Sequence, residues 1–552
     1  MNRLPQEIYD QIATLLQGPD FDRPALATIS RHWQAAIERL TFSCIYLRSN
    51  DLVRFDEIVR NGRRRYVKAI KYLIVLPAYS DEVRCRFERE DDRRVNDEAF
   101  TVAIHRLFHL LQYWDAIRDG YVEFSIEDVY SPSDYLFLRC SSPLFDIKCR
   151  GGCEYGSDDD STVTDLWSWR YRYSFIRLLR PSVLPLVPVV CEFRIHWITR
   201  NLCDRVPIEI AARLPNIRMG CWLMNDWSIR YLTVCRSHRR DLAEAVAELL
   251  PRSSSLEDIS FIIPLPFYCD YQNFSVGSLH PEDSTRDSLS NAIRTATAKI
   301  STLRRLKING AIDKSVFWPG PTHAVSEPYW QNLEHLTVRF SPRRPSGGHY
   351  FVDPHYPTQG MFMPSEAEVP PGYKQTEEEE AAAATSFSVV SECDPIAELG
   401  NWRWVVEVVP DDSLMPLIEA FGQACLQMPM LKAADLSTIV PAPTGLNRNS
   451  SPVSGRSLWG IWYFSPGTME HKPEWMDPAF SEDIHRRRLI WDVKDWRPDA
   501  DLQSLLGNIG REKHGEELVE KFIDSWKSVD KDRFVQEYTI EKSSFRSRLR
   551  ST

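Results

Sequence analysis

The feature that most constrains the fold of this 552-residue chain is a short apolar pattern that recurs along it. In each copy, large apolar residues occupy positions i, i+3 and i+5. The copies are Val67/Ile70/Tyr72, Val190/Phe193/Ile195, Leu256/Ile259/Phe261, Leu303/Leu306/Ile308, Leu333/Leu336/Val338 and Leu431/Ala434/Leu436. The last two residues of each copy are two positions apart and therefore point to one face of a β-strand, with the first residue at the strand's entrance.

Amphipathic helical segments precede several of these predicted strands. They are "DLVRFDEIVRNG", "DLAEAVAELLP", "DSLSNAIRTATAKIS" and "DDSLMPLIEAFGQACLQM". A repeated helix, turn and strand is typical of a leucine-rich-repeat solenoid, in which each unit buries its apolar face against its neighbours. The spacing is irregular, because successive patterns begin at 256, 303 and 333. The sequence therefore predicts an α/β fold with an irregular leucine-rich-repeat-like region, and a generic α/β domain is the alternative.

The amino-terminal segment "LPQEIYDQIATLL" predicts a helix with one apolar stripe. The stripe consists of Leu4, Ile8, Ile12 and Leu15, and Pro5 with acidic Glu7 suits a first helical turn. Next, "LATISRHWQAAIERL" repeats apolar residues at three- and four-residue steps, with Ser30 placed to cap a helix that begins at Arg31. Three short helices bury little surface, so we expect this unit to lend apolar surface to another protein.

These two segments together resemble an F-box, whose pattern is Leu-Pro-x-Glu-Ile followed by Val-Ser-Arg-x-Trp. The residues that fall on the pattern are Leu4, Pro5, Glu7, Ile8, Ile12, Leu15, Leu26, Ser30, Arg31 and Trp33, while Ile29 replaces the usual valine. The remaining chain resembles the divergent region of fungal-type F-box proteins. The resemblance implies that Leu4, Pro5, Glu7, Ile8, Ile12, Leu15, Leu26, Ile29, Ser30 and Trp33 contact a Skp-type adaptor.

Through that adaptor, the resemblance implies, the chain joins a cullin–RING ubiquitin ligase, and the downstream region selects the protein substrate. Such a subunit makes no bonds itself, so we expect neither catalytic residues nor a cofactor nor a metal. Two alternatives stay open. The first helices can be a small subdomain packed on the chain's own repeats, and the chain can be a repeat-based interaction scaffold that acts outside a ubiquitin ligase.

Composition divides the chain into four predicted domains. They are an F-box at 1–48, a leucine-rich-repeat-like region at 49–345, an acidic Pro/Gly/Glu-rich disordered insertion at 346–400 and an aromatic-rich α/β region at 401–552. The net charge of −10 comes largely from the insertion, because Ser365–Leu399 carries nine acidic residues against one lysine. We expect that segment to be solvated, or less simply a partner-binding tail.

The carboxy-terminal region concentrates tryptophan. "SLWGIWYFSPG" and "RRRLIWDVKDWRPD" are predicted strands, and "DADLQSLLGNIG" and "EELVEKFIDSWKSV" are predicted helices. Five of the chain's seventeen tryptophans lie here: Trp459, Trp462, Trp475, Trp491 and Trp496. Clustered tryptophans either form an interaction surface or fill a core, and filling a core is the commoner case.

No enzyme motif is present in the sequence. It contains no GxxxxGK[ST], GxGxxG, GxSxG or HExxH segment. His105 and His109 stand four apart on a predicted helix, but apolar neighbours favour a structural pair over a metal site. Cys149 and Cys153, even with Cys140, lack the partner spacing of a zinc site. The basic segment "RNGRRRYVKAIK" lies between a predicted helix and strand, so a solvated turn is favoured over nucleic-acid binding.

The sequence also carries expectations about location. The longest apolar run, "SVLPLVPVVC", is too short to span a bilayer and contains two prolines. A charged-then-apolar leader is not visible at the start of the sequence. We therefore predict an intracellular protein, cytoplasmic or nuclear, with no membrane association.

Overall fold

A computed structural model gives the fold. It describes residues 4–16, 23–84, 87–135, 170–171, 173–196, 198–224, 232–263, 277–281, 286–319, 330–352, 370, 372–373, 409–410, 412–441, 456–468 and 483–523. Within these ranges the chain is an α/β protein built around largely parallel β-structure.

Helices and strands are interspersed along the chain. The α-helices are α1 (Gln6–Leu15), α2 (Arg23–Thr28), α3 (Arg31–Ser43), α4 (Leu52–Ile58), α5 (Asp81–Arg84), α6 (Glu90–Leu111), α7 (Ala116–Asp119), α8 (Pro132–Tyr135), α9 (Val206–Ala211), α10 (Leu232–Leu249), α11 (Ser288–Ala298), α12 (Met415–Leu426), α13 (Ala500–Gly507) and α14 (Arg511–His514). The strands are β1 (Cys44–Arg48), β2 (Ala69–Val75), β3 (Val122–Tyr130), β4 (Val190–Ile195), β5 (Met219–Leu223), β6 (Asp258–Ile262), β7 (Arg305–Gly310), β8 (His335–Phe340), β9 (Phe351–Val352), β10 (Val409–Pro410), β11 (Ala433–Pro441), β12 (Arg456–Phe464), β13 (Arg487–Asp492) and β14 (Leu518–Phe522).

The described residues form two compact units. The first takes in residues 4–135, 170–202 and 209–222, and the second takes in 203–208 and 223–523. In the first unit, β1 to β5 pair in chain order, and every pairing is parallel. Because each strand returns to lie beside its predecessor, the connecting helices and loops must cross from one end of the sheet to the other.

The second unit repeats this order and then changes direction. Strands β6, β7, β8 and β11 pair in parallel. Strand β12 is antiparallel to both β11 and β13, and β14 returns parallel to β13. Strands β9 and β10 form a separate antiparallel pair.

The six copies of the apolar pattern all fall on strands, as the sequence predicts. In five copies the first residue lies two positions before its strand, and Val190 itself begins β4. Every residue of the six copies is at most 5% exposed. The strand register brings equivalent positions together, since Leu306 pairs with Ile259 on one side and with Leu336 on the other. The repeated apolar positions therefore form continuous buried rows.

Strand β5 follows the same pattern with a glycine in the middle position. Ile217, Gly220 and Trp222 stand at i, i+3 and i+5, and Ile217 and Trp222 are fully buried. A Cβ atom on Gly220 would lie 2.3 Å from the indole ring of Trp222. Only glycine fits this position, and its lack of a side chain hides the copy from a search for apolar residues.

The predicted helices of the repeat region are present as α4, α10, α11 and α12, and α13 matches "DADLQSLLGNIG". Strands β12 and β13 match the two aromatic-rich segments. No helix within the described ranges combines the length and the apolarity needed to cross a membrane.

The helix predicted for "EELVEKFIDSWKSV" is wrong over Leu518–Phe522, which form β14. Apolar residues at 518, 519, 522 and 523 fit a helical period, but pairing with β13 takes precedence. The N–H of Ile523 donates to the carbonyl of Trp491 at 2.7 Å, and the ring of Phe522 stacks on the ring of Trp491 with centroids 5.6 Å apart. These tertiary contacts are invisible to local periodicity.

The predicted acidic insertion lies almost wholly outside the described residues. Its first positions are an exception, because Tyr350 and Phe351 are buried, and the Tyr350 hydroxyl donates to the carbonyl of Ile312 at 2.9 Å. Residues 346–352 therefore belong to the packed structure.

Candidate partner-binding site

The amino-terminal helices have a small core of their own. Its buried residues are Tyr9 and Ala13 on α1 and Ala36 and Ile37 on α3. Leu26, Ala27, Trp33 and Leu40 pack against them with part of their surface exposed. Four buried residues remove little apolar surface from water, so this core alone contributes modestly to stability.

Tyr9 is the centre of that core. Its ring stacks on the ring of His32 with centroids 5.3 Å apart, and meets Trp33 edge-on at 5.5 Å. The apolar stripe identified in the sequence does not include Tyr9. The spacing of Tyr9 and Ala13, four residues apart, was the available signal that a second face of α1 turns inward.

Hydrogen bonds align α1 with α3. The Gln6 amide donates to the carbonyl of His32 at 3.0 Å, and Gln6 Oε1 lies 2.9 Å from His32 Nδ1. Asp10 forms an ion pair with Arg39. The predicted cap is confirmed, because Ser30 Oγ accepts the N–H of Trp33 at 3.3 Å at the start of α3.

The helical unit is also tied to the strand region that follows it. Arg63, on the 3₁₀ helix Asn61–Tyr66, pairs with Glu38 of α3 at 2.7 Å. Burial raises the pKa of Glu38, but hydrogen bonds from Arg63 and Gln34 outweigh it and leave that pKa below its usual value. The pair therefore favours the ionised carboxylate and holds α3 beside the 3₁₀ helix that precedes β2.

The stripe identified in the sequence lies on the outside of this unit. Leu4 is 44% exposed, Ile8 37%, Leu15 83% and Ile29 61%. Ile8 and Ile12 lie on one face of α1 because they are four residues apart, and Leu4 precedes the helix, beyond its N-cap Pro5. We name the exposed apolar set Leu4, Ile8, Leu15 and Ile29 the docking face, as the candidate site for a partner protein.

The other predicted site residues occupy two kinds of position. Pro5 and Glu7 are exposed beside the docking face, and Ile12 is half-buried. Leu26, Ser30 and Trp33 are half-buried and serve the unit's own structure, as core contacts and as a helix cap. The ten predicted residues thus divide into an outward set and a supporting set.

Groups suited to metal binding are not assembled in the part of the chain that the structure describes. It contains no cluster of three or more His, Cys, Asp or Glu residues with ligand geometry. The rings of His105 and His109 lie 6.2 Å apart on α6, and burial followed by the charge of His109 lowers the pKa of His105. Cys140, Cys149 and Cys153 lie outside the described residues.

The basic segment before β2 is engaged locally. Arg63 pairs with Glu38, Arg64 lies against the ring of Trp114, and Arg65 lies over the ring of Tyr66. These contacts hold the 3₁₀ helix against its neighbours. They give this segment a structural role, where the sequence predicts a solvated turn.

The described carboxy-terminal tryptophans fill the core. Trp459, Trp462 and Trp491 are at most 3% exposed. Trp496 is half-buried, and Trp475 lies outside the described residues. These three tryptophans therefore fill the core, which is the commoner of the two predicted roles, and they offer no free contact surface.

No protein-family model matches this chain, and no curated protein matches it.

Proposed function

We propose that this chain is an F-box protein, the substrate-recognition subunit of a Skp–cullin–F-box ubiquitin ligase. The docking face carries the proposal. Leu4, Ile8, Leu15 and Ile29 are exposed on a helical unit whose described residues include four buried ones, Tyr9, Ala13, Ala36 and Ile37. Covering such a face with an adaptor's helices removes apolar surface from water and stabilises both partners.

The two halves of the F-box pattern play different parts in this proposal. The Leu-Pro-x-Glu-Ile half provides Leu4 and Ile8 as anchors, and the Ser-Arg-x-Trp half builds the support. Ser30 caps α3, and Trp33 packs on Tyr9 in the core. An interface of this kind relies on a few apolar anchors that enter grooves on the partner.

In this proposal the rest of the chain is an irregular leucine-rich-repeat-like solenoid that binds the protein substrate. The chain-order parallel strands and the buried rows of the apolar pattern support that architecture. Alternate strand positions form a row on the opposite face of the first unit's sheet, where Tyr46, Lys71, Ser125 and Arg194 are in register. A mixed polar face of this kind suits a protein partner better than a small apolar ligand.

The proposed subunit accelerates a reaction without performing it. Binding the adaptor and the substrate at once places the substrate at high effective concentration near the ubiquitin-charged enzyme. The role places the chain inside the cell, in the cytoplasm, the nucleus or both.

Adaptor capture by the double variant Leu4→Ala/Ile8→Ala tests the proposal. Both side chains face solvent in the free chain, so the variant keeps its fold. Losing two anchors weakens capture of a Skp-type adaptor by at least about 2 kcal/mol, roughly thirtyfold. The matched control is Ile117→Ala, because Ile117 is 98% exposed on α7 in the first unit.

The outcomes separate the proposal from its alternatives. Capture by the wild type and by Ile117→Ala, but not by the double variant, supports it. Failure of the wild type to bind any Skp-type adaptor overturns it. If the chain works in a ligase, ubiquitin conjugates should accumulate on a co-purified partner of the wild type and disappear with the double variant. If the chain is a scaffold outside a ligase, the double variant should not change the conjugates.

A further inference from the structure

The helix α3 passes into the first strand without a connecting loop. It ends at Ser43, and β1 begins at Cys44, whose backbone is already extended with φ −135° and ψ 116°. The carbonyl of Ser43 accepts the N–H of Lys68 at 2.9 Å, one residue before β2 begins. A hinge needs loop or terminal residues that are free to change φ and ψ. Because Cys44 is held in the pairing of β1 with β2, α3 cannot turn against the sheet without breaking that pairing.

Arginine and aromatic side chains are exchanged between α3 and the 3₁₀ helix that precedes β2. Arg63 of the 3₁₀ helix lies over the ring of Phe42, 5.3 Å from its centroid, and pairs with Glu38 of α3. In the other direction, Arg39 of α3 lies over the ring of Tyr66, 5.7 Å from its centroid. Cation–π contacts of this kind are favourable, and Tyr66 is buried at 7% exposure. We name these contacts the arginine exchange.

Arg39 extends the arginine exchange to α1. Besides lying over Tyr66, it forms an ion pair with Asp10, two residues after Ile8 of the docking face. One guanidinium therefore joins α1 to the segment that leads into β2. Since the core of the helical unit is small, we expect its stability to depend on these contacts with the strand region.

We propose that α1, α2 and α3 open and close together with β1 and β2 as one cooperative unit, held by the arginine exchange. The docking face is then already formed in the free chain. A partner on that face binds the closed state and so suppresses opening of the strands as well as of the helices.

This coupling reaches the mixed polar face of the first unit. Lys71 of β2 donates to the hydroxyl of Tyr46 of β1 at 3.3 Å, so both residues belong to strands that open with α3. Because such coupling is reciprocal, a ligand on the polar face stabilises the docking face to the same extent. The cooperative opening is a property of the free chain, whereas its use in coupling an adaptor to a substrate rests on the proposed function.

Amide hydrogen exchange of the full chain, followed by mass spectrometry, tests the cooperative unit. The proteins are the wild type, Arg63→Met, Arg63→Lys and the control Arg60→Met. Arg60 belongs to the same basic segment and is exposed, and its Nε donates to the carbonyl of Asp56 at 3.2 Å. Among the described residues it forms no hydrogen bond or ion pair with α3.

In the wild type and in Arg60→Met, the slowest amides of α3 and of β2 should exchange within about twofold of each other, because one opening exposes both. Arg63→Met should speed exchange in α3 by about tenfold and leave β2 unchanged, since it removes a charged hydrogen bond between them. Arg63→Lys keeps a cation beside Glu38 and Phe42 and should restore much of the protection of α3.

A second measurement adds a Skp-type adaptor at about 100 times its Kd. Exchange in the wild type should then slow by roughly a hundredfold in α3 and by the same factor in β2. In Arg63→Met the adaptor should slow α3 far more than β2. A merely local stabilising role of Arg63 would leave the two factors equal.

Other results overturn the cooperative unit. Exchange that is more than about tenfold faster in α3 than in β2 of the free wild type shows that the helices open independently, and the proposed adaptor role survives that result. Equal exchange in Arg63→Met and Arg60→Met shows that the arginine exchange does not hold the unit together. If the adaptor does not bind, the proposed function fails, and the free-chain comparison still decides this inference. If Arg63→Met does not fold, Arg63→Lys against Arg60→Met gives the same comparison.

Discussion

Nε and Nη2 of Arg239 lie 2.7 and 2.6 Å from the two carboxylate oxygens of Asp287, and both side chains are buried. The pair joins α10 to the start of α11. Asp287 is also the cap of α11, because its carboxylate accepts the N–H of Ser290 at 2.9 Å. One side chain therefore neutralises a buried guanidinium and satisfies a helix end.

Replacing Asp287 with Asn should lower the free energy of unfolding by about 3–5 kcal/mol, because Arg239 is left charged and unpaired in the interior. Urea unfolding at neutral pH measures it. The control is Asp258→Asn, which breaks the half-exposed pair with Arg305 and should cost less than about 1 kcal/mol. Equal losses in the two variants would contradict a special role for the buried pair.

The Asp287–Arg239 pair should make the free energy of unfolding depend on pH. Burial raises the pKa of Asp287, but Arg239 and the hydrogen bonds from Ser290 lower it more, so it lies below the usual 3.8. Because the pKa of Asp287 is lower in the folded state than in the unfolded state, its ionised carboxylate stabilises the fold at pH values above the unfolded-state pKa. This stabilisation is lost as the pH falls through the folded-state pKa. The difference in unfolding free energy between wild type and Asp287→Asn should therefore be constant near pH 7 and shrink below about pH 4. Urea titrations between pH 3 and 7 check this, and a difference that grows on acidification would refute it.

Substituting Gly220 with Ala should destabilise the first unit. The added Cβ would lie 2.3 Å from the Trp222 ring, and overpacking of this kind costs about 1–3 kcal/mol. The matched control is Gly62→Ala, where nothing lies within 4 Å of the added atom. Melting temperatures of the two variants give the comparison. A Gly220→Ala protein as stable as the control would show that Trp222 can move aside freely.

Removing the cap of α3 should loosen the amino-terminal unit. Ser30→Ala deletes the acceptor for the Trp33 N–H and should cost about 1 kcal/mol, whereas Ser30→Asn keeps an acceptor and should cost much less. Hydrogen exchange at the α3 amides measures the local effect. Equal protection in the two variants would mean that the cap contributes nothing to the stability of the amino-terminal unit.

Much of the strand arrangement could be predicted from the sequence because the repeated apolar pattern reports burial directly. Leu306 and Ile308 had to face a core, and they do. The antiparallel direction of β12 could not be predicted, since it depends on pairing between distant segments. Gly220 was missed because glycine has no side chain that a search for apolar residues can detect. Strand β14 was missed because its apolar residues have a helical period, which pairing with β13 overrides.

The amino-terminal helical unit could be predicted in outline only. Helical spacing marks Ile8 and Ile12 as one face of α1, but spacing does not reveal which face turns inward. Tyr9 takes the inward position because its ring can stack on His32 while Ala13 leaves room beside it.

Strand β12 runs against its neighbours on both sides. In a series of parallel strands, a new unit can be added at an end whenever its strand runs the same way as the last one. The reversal at β12 ends this parallel series at β11, since β12 pairs antiparallel with β11. Duplication could lengthen the second unit between β6 and β11 without disturbing the reversal, so its growth over evolution is expected to be internal.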